Sequence, residues 1–323
     1  MKRVVKVLLL IVLVFLIVSY FIPVNREKQV FVRSTFENVI SSTTLPENWI
    51  KWDAEVGAAW QKDSSACKFG TDTTNHIISI NIPGKKIRIT QLTYLLYQLE
   101  EIKNNHSSVF SFTIIPYVGN GQPRSQHNST IVYAEKTSLL FRILPFLEKG
   151  SSADRTISEL QSYLEDNTRF YGFPIELKQA TDTLFLTHKA SILKQDLFKK
   201  LPTLFDDLDR FARENQCQPV NRNIAYDPTN NDSLSILAGI NIDKIIMGDY
   251  LHNFMELPTG QFLAVGQFEG PFRDRSVLYK AIEKYLSDHQ FIRIAVPYEK
   301  YLSPLPATDS SIVKITLSYP LRN

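Results

Sequence analysis

The sequence predicts an α+β protein of two domains behind an N-terminal apolar helix, and three observations carry that prediction. Residues 4–24 (VVKVLLLIVLVFLIVSYFIPV) form one almost uninterrupted apolar run. From Ala59 to Tyr133 short strand-like pieces alternate with turn signals, and a helical stretch follows after Gly150. Beyond residue 175 the order strand–helix–strand–strand is written twice. Strands grouped with helices, rather than strictly alternating with them, belong to α+β architecture.

The apolar run comes first. About 20 apolar residues at ~1.5 Å rise match a ~30 Å hydrocarbon core, so residues 1–28 are expected to be a transmembrane anchor. Lys2 and Arg3 precede the run and Lys6 lies at its N-terminal side, and by the positive-inside rule they hold the N-terminus in the cytoplasm. The expectation is a single-pass membrane protein, held in the membrane through residues 4–24, with extracytoplasmic domains. A cleaved signal peptide is the competing reading. The run is longer than the ~7–15 residues of an h-region, and Ser19-Tyr20-Phe21 is too bulky for a cleavage site. Arg26 and Lys28, with Glu27 between them, weigh against the orientation.

The rest of the chain is long enough for two ordinary domains. The net charge of +3 includes three cations beside the apolar run, so no basic stripe marks a nucleic-acid partner. Cys67 and Cys217 are the only cysteines; a disulfide is open to them, and two free thiols are the simpler reading. Asn-x-Ser/Thr triplets at Asn105, Asn128 and Asn231 are short enough to arise by chance.

In the first domain, 29–168, Gln29–Thr35 (QVFVRST) alternates as a half-buried strand. A short helical stretch follows, punctuated by Pro46 and ending on Trp49 and Trp52. HIISINI, KIRITQLTYLLYQLEEI, SVFSFTIIPYV and STIVYAE read as strands. SSADRTISELQSYLED then has a Ser cap and Ile157, Leu160 and Leu164 at helical spacing. RFYGFP, at 169–174, marks a boundary.

In the second domain, 175–323, TDTLFLTHKA is a strand, LKQDLFKKLPTLFDDLDRFARENQ a helix, and strands lie near IAYDP and SLSILAGINI. GQFLAVGQF, RDRSVLYKAIEKYLSDHQ, VPYEKYLSP and SIVKITLSYPL repeat the order. Phe185 matches Phe262 and Ile240 matches Leu317 at one common offset, which points to a tandem duplication. A pseudo-twofold domain with a cleft between its halves is a natural ligand site.

Two resemblances follow. Residues 29–168, on the first strand, the Trp49-Ile-Lys-Trp52 segment, the meander and the helix around Leu160 and Leu164, resemble the SRPBCC/START-like (polyketide cyclase-like) helix-grip superfamily. That resemblance implies a curved sheet gripping a helix around an apolar cavity. Here Leu45-Pro46-Glu47-Asn48 precedes the tryptophans where the family has its "dP" segment. Residues 175–323 resemble GyrI-like small-molecule-binding (effector-binding) domains. Leu257-Pro258-Thr259-Gly260, Glu269-Gly270-Pro271-Phe272, Pro297-Tyr298-Glu299-Lys300-Tyr301 and Ser318-Tyr319-Pro320-Leu321 carry it in the expected order. The resemblance implies a bacterial protein and a hydrophobic or cationic ligand held between the halves by aromatics and a buried carboxylate. Two departures stand out. Thr316 occupies the position where members often carry a glutamate, and Lys189-Ala190-Ser191-Ile192 replaces the Gly-Pro-aromatic turn in the first repeat.

The chemistry-bearing residues are few. Strand alternation puts Glu299 and Tyr301 on one face and Tyr298 and Lys300 on the other. A carboxylate flanked by tyrosines suits a cation; the plainer alternative is a solvent-facing Glu299 paired with a lysine. Phe268, Phe272 and Tyr319 complete the candidate ligand-binding set, with core packing as the alternative for the phenylalanines. His188 is read as an isolated histidine at a cleft rim, and Asp206, Asp207 and Asp209 as a solvated helix face. Arg88, Glu100 and Glu135 are candidate cavity residues of the first domain. There is no G-x-S-x-G, H-E-x-x-H, P-loop or Rossmann glycine pattern. No catalytic residue, metal or cofactor is assigned. The expected function is non-catalytic binding of a hydrophobic or cationic small molecule. The alternatives are a cyclase- or hydrolase-like enzyme using Glu299 as acid/base, and an envelope scaffold.

Overall fold

In the computed structural model the first residues after the N-terminal helix already belong to a sheet. The structure describes residues 2–104, 106–116, 128–140, 151–181, 184–227, 233–258 and 260–322, with backbone alone for 2–9 and 227. The chain divides into two compact units, 1–169 and 170–323.

In the first unit helix α1 (Lys2–Phe21) is followed directly by strand β1 (Pro23–Val32). β1 pairs antiparallel with β7 (Ser129–Ser138), starting at Pro23 opposite Ser138. Strand pairing thus begins inside the apolar run, and its last residues are sheet rather than helix. Among the described residues no helix is long and apolar enough to cross a membrane. The expected transmembrane anchor, the membrane partner and the single-pass localisation are corrected accordingly.

Between β1 and β7 lie α2 (Phe36–Thr44), α3 (Trp49–Trp52), α4 (Ala54–Lys62) and strands β2 (Lys68–Asp72), β3 (Ile77–Ile82), β4 (Lys85–Gln91), β5 (Leu96–Lys103) and β6 (His106–Pro116). The sheet is an antiparallel meander in the order β1-β7-β6-β5-β4-β3-β2. Thr35 caps α2 by accepting from the Asn38 N–H, and Asp53 caps α4 through Glu55 and Val56, as N-cap residues do. The buried Trp49 and Trp52 pack in a tilted pair with ring centroids 4.1 Å apart. Their indole N–H groups donate to the carbonyls of Thr43 and Ser42, so neither buried indole is left unpaired. Helix α5 (Ser152–Glu165), capped by Ser151, buries Ile157, Leu160 and Leu164, the face read from the sequence. A one-turn helix, α6 (Asn167–Tyr171), follows at the boundary.

The core of the first unit also carries charge. Lys85, with 3% of its side chain exposed, lies 3.1 Å from Asp53, 3.2 Å from Glu55 and 3.6 Å from Glu101. Arg155 joins Glu55 and Glu101 from α5 at 3.1 and 2.9 Å. Lys85 faces inward because it shares the face of buried Ile87 and Ile89 on β4. Arg88 lies on the opposite, exposed face, across from Glu100 on β5. Glu135 lies near Arg26, at 4.0 Å.

The second unit is built on one eight-stranded antiparallel sheet in the order β12-β9-β11-β10-β14-β15-β13-β8. Its strands are β8 (Ile175–Gln179), β9 (Leu184–Leu193), β10 (Val220–Asp227), β11 (Ser233–Asn241), β12 (His252–Glu256), β13 (Phe262–Pro271), β14 (Tyr298–Tyr301) and β15 (Ile312–Pro320). The order is symmetric about the β10–β14 pair: β9-β11-β10 on one side mirrors β13-β15-β14 on the other. Helices α7 (Leu197–Glu214) and α8 (Ser276–Asp288) occupy equivalent places in the two halves. Each buries one stripe, Leu197, Leu201, Phe205, Leu208 and Ala212 in α7, and Leu278, Ala281, Ile282, Tyr285 and Leu286 in α8. Both stripes pack in one core with Leu186, Ile224, Ile236, Ile315 and Leu317 of the sheet.

The register corrects part of the duplication. Ile224 pairs with Ala238 in the first half and Tyr301 with Ile315 in the second, so these strands keep the offset that relates Ile240 to Leu317. Ala238 also pairs with His188, and Ile315 with Phe268, which makes Phe268 the counterpart of His188. Between β9 and β13 the offset is therefore longer by an odd number of positions. An odd slip exchanges the two faces of a strand, so Phe185 and Phe262 are not equivalent, whereas Leu186 and Gly266 both lie toward the helices. The corrected offset also matches Lys189-Ala190-Ser191-Ile192 to Glu269-Gly270-Pro271-Phe272.

Cys67 and Cys217 are free and buried. Asn128 is 9% exposed, and Asn105 and Asn231 lie outside the described residues, as does Thr259.

Candidate functional site

Proline and a one-turn 3-10 segment, Phe272–Arg275, lead from β13 into α8 and leave Arg275 at the helix N-cap. A cation there opposes the helix dipole, so a strong counter-charge is needed. Glu299 on β14 supplies it. The strand alternates half-buried and buried, which turns Glu299 and Tyr301 into the helix–sheet layer and Tyr298 and Lys300 away from it.

Glu299 has no solvent exposure. Its Oε1 accepts from Arg275 Nε and from the Tyr279 hydroxyl, both at 2.8 Å, and its Oε2 accepts from the Tyr301 hydroxyl at 2.6 Å. Tyr279 follows Arg275 by one helical turn and so lies on the same helix face. The Tyr226 hydroxyl, on β10, meets that of Tyr301 at 3.1 Å; with the Tyr301 proton directed at Glu299, Tyr226 donates. The Arg275 guanidinium lies 3.5 Å from the Phe272 ring centroid and 5.1 Å from that of Tyr226, and Arg275 also donates to the Phe272 carbonyl at 3.0 Å. The result is a buried ion pair whose lone pairs and protons are largely satisfied, the condition under which such a pair is tolerated.

The titration behaviour follows. Burial opposes the Arg275 charge, yet Glu299 together with Tyr226 and Tyr301 outweighs it and lifts arginine above its ordinary value. Burial, and then the charges beside them, Glu299 among these, push Tyr226, Tyr279 and Tyr301 well above the usual phenol range. All three hydroxyls keep their protons at any physiological pH and act as donors.

The cluster forms one wall of a half-open cleft of about 750 Å³, lined by Tyr226, Arg275, Tyr279, Glu283 and Arg293 together with the apolar segment 294–297. Ala295 and Val296 also line a second, almost wholly apolar pocket of about 220 Å³ with Phe185, Thr187, Leu237 and Tyr298. Thr187 and Tyr298 alternate with residues of the helix-facing side, so this second pocket opens on the opposite face of the sheet.

The sequence-derived residues separate accordingly. Glu299, Tyr301 and Phe272 come together around Arg275. Tyr319, fully buried, sits beside Tyr279 with centroids 6.3 Å apart and donates to Glu283 at 3.3 Å. Phe268 is 8% exposed and belongs to the helix–sheet core. Arg275, Tyr279, Tyr226 and Arg293 were not singled out by sequence. Arg275 reads there as one charge in a polar turn, and Tyr226 ends a strand far upstream of Glu299. Two histidine and aspartate readings are also corrected: His188 does have a carboxylate near it, Asp207 at 3.3 Å, and Asp207 and Asp209 reach inward partners rather than forming a solvated face.

No family model matches the sequence, and no curated protein matches it. Among solved structures the chain is similar to the C-terminal domain of EcmrR at 11% identity and a TM-score of 0.37, over 46% of this chain and 98% of that one. A hydrolase from Listeria innocua is similar at 9% identity and a TM-score of 0.36, over 46% and 91%. The di-domain ARO/CYC protein BexL from the BE-7585A biosynthetic pathway is similar at 8% identity and a TM-score of 0.29, over 93% and 85%. At these scores the functional reading rests on the site's own geometry.

Proposed function

We propose that the second unit binds an amphipathic small molecule, neutral or anionic at its polar end, in the cleft beside Glu299. The observation that carries this reading is the cleft itself. Its volume of about 750 Å³ falls in the range of roughly 300–1,000 Å³ of small-molecule sites. Its wall combines the guanidinium groups of Arg275, held in place by the buried ion pair, and Arg293 with the apolar segment 294–297.

The expectation of a cationic ligand is revised here. Glu299 is neutralised by Arg275, and a ligand cation would have to displace that guanidinium. The charged groups lining the cleft are Arg275 and Arg293 against Glu283, a balance suited to an acid or a neutral acceptor. An acid/base role for Glu299 requires a substrate atom to reach it. Its oxygens are directed at three protein donors and have no exposure, so the geometry favours binding without chemistry at this carboxylate.

The test uses two probes with one tail and opposite heads. Dodecanoate and dodecylammonium are titrated into the full chain below their micelle concentrations, followed by calorimetry. Dodecanoate is expected to bind one per chain and to lose about tenfold in affinity on Arg293→Ala, roughly 1.4 kcal/mol. Preference for dodecylammonium, or binding of neither, overturns the proposal.

A further inference from the structure

A second polar cluster lies in the other half of the second unit. His188 on β9 and His252 on β12 are direct register partners, so both imidazoles project from one face of the sheet. Helix α7 covers that face and presents Asp207 to them. His252 Nε2 is 2.9 Å from Asp207 Oδ2, and His188 Nδ1 is 3.3 Å from the same oxygen. The ligand atoms of all three lie within 4.8 Å of one another, the one such group of three or more among the described residues.

The placement of protons makes this arrangement incomplete. Asp249 accepts the backbone N–H groups of Leu251 and His252 at 2.8 and 2.7 Å, and its Oδ1 is 2.9 Å from His252 Nδ1. A carboxylate only accepts in that pattern, so Nδ1 carries the proton. In a neutral imidazole Nε2 is then a lone pair, and it faces another carboxylate oxygen. His188 Nδ1 is buried without a hydrogen bond. The second oxygen of Asp207 is already held by Arg210, which leaves Oδ2 to the histidines. Two imidazole nitrogens and a carboxylate oxygen thus converge on one point, and the nearest protein cation, Arg210, is bonded to the other oxygen of Asp207. A proton on His252 would relieve one contact and leave His188 Nδ1 orphaned; a dication relieves all three.

We propose that His188, Asp207 and His252 form a binding site for a transition-metal dication, Zn²⁺ above all. Two imidazoles and a carboxylate, without sulfur, suit zinc and its neighbours rather than magnesium or calcium. Metal–nitrogen and metal–oxygen bonds of ~2.0–2.2 Å put tetrahedral ligand atoms roughly 3.3 Å apart, close to the 2.9 and 3.3 Å contacts here. Asp249 supplies the outer carboxylate that orients a ligating histidine, and Phe211 stacks on the His252 ring at 4.1 Å. Asp207 keeps 22% of its side chain exposed, leaving a side of the site open to water. This inference stands apart from the cleft beside Glu299 and survives its failure.

The test takes the tag-free full chain, strips it with chelator and titrates it with Zn²⁺ alone by calorimetry and Co²⁺ alone by absorption. The expected result is one equivalent of Zn²⁺ and a tetrahedral Co²⁺ spectrum. His188→Ala and His252→Ala are each expected to weaken Zn²⁺ by at least about 100-fold, and Asp249→Ala by about 10–100-fold. Asp249 is half exposed, so its variant serves if His252→Ala does not fold. No uptake by the native chain, or equal uptake by all the variants, overturns the proposal. So does an NMR spectrum in which His252 carries both ring protons and does not respond to Zn²⁺.

Discussion

Arg275 donates to Glu299 at 2.8 Å across the helix–sheet interface, where the carboxylate has no exposure and the guanidinium side chain only 19%. The bond ties the start of α8 to the middle of the sheet. It sets the orientation of the Tyr279 and Tyr301 hydroxyls that converge on the same carboxylate.

Removing one partner is therefore expected to cost more than one hydrogen bond. Arg275→Ala leaves the buried Glu299 with only the tyrosine donors, and loss of one member of a buried pair costs about 3–5 kcal/mol. Urea unfolding followed by near-ultraviolet circular dichroism of the tyrosines checks it. The double variant Arg275→Met, Glu299→Leu, which removes both charges, is expected to recover most of that loss.

The first unit has its own buried charge at Lys85. Lys85→Met strips the shared cation from Asp53 and Glu101 and is expected to destabilise by about 3–5 kcal/mol. All three tryptophans, Trp49, Trp52 and Trp60, lie within residues 1–169, so tryptophan fluorescence during urea unfolding reads this unit. A shift well short of that range, below about 1 kcal/mol, would show that the network adds no stability.

Acid sensitivity follows from Glu55. Burial alone would raise its carboxyl, but the hydrogen bonds from Lys103 and Lys85 and the charges of Lys85 and Arg155 outweigh it and bring it to about 2 from 4.5. The folded state thus binds this proton less readily than the unfolded one. The stabilisation is full above pH 4.5 and is lost as pH falls toward about 2. Tryptophan-monitored unfolding between pH 6 and 2 is expected to show that slope, and Glu55→Gln is expected to flatten it.

Gly266→Ala tests the packing of α8. A Cβ at Gly266 would stand 2.8 Å from Leu278 Cδ1 and 3.1 Å from Ile282 Cδ1, tight contacts that must push side chains aside. The expected destabilisation is about 1–3 kcal/mol, read by thermal unfolding.

The sequence was most legible where one periodicity governed. The alternation that places Glu299 and Tyr301 on one face, the stripe of Ile157, Leu160 and Leu164, and the strand–helix–strand–strand order all reappear. It was least legible where partners are distant. Arg275, Tyr279 and Tyr226 reach Glu299 from a helix cap, a helix face and another strand, and no local pattern links them. His188 read as isolated because its carboxylate arrives from the following helix, α7, and His252 from a strand later still in the chain. The apolar run misled for another reason. Hydropathy does not see that its last residues are drawn into strand pairing with β7.

The palindromic strand order gives the second unit an internal control for each polar centre. The position of Glu299 in one half is held in the other by Arg222, which lies 3.3 Å from Asp209 and over the Phe205 ring at 5.4 Å. One scaffold thus shows the same niche with opposite charge. The position of His188 is held in the other half by Phe268, so the same backbone also shows how that place packs when it is dry. Each half carries its polar centre at a different position of the shared scaffold, while both helices keep the same apolar footing. Each half can be altered at one of these positions and read against its twin in a single molecule.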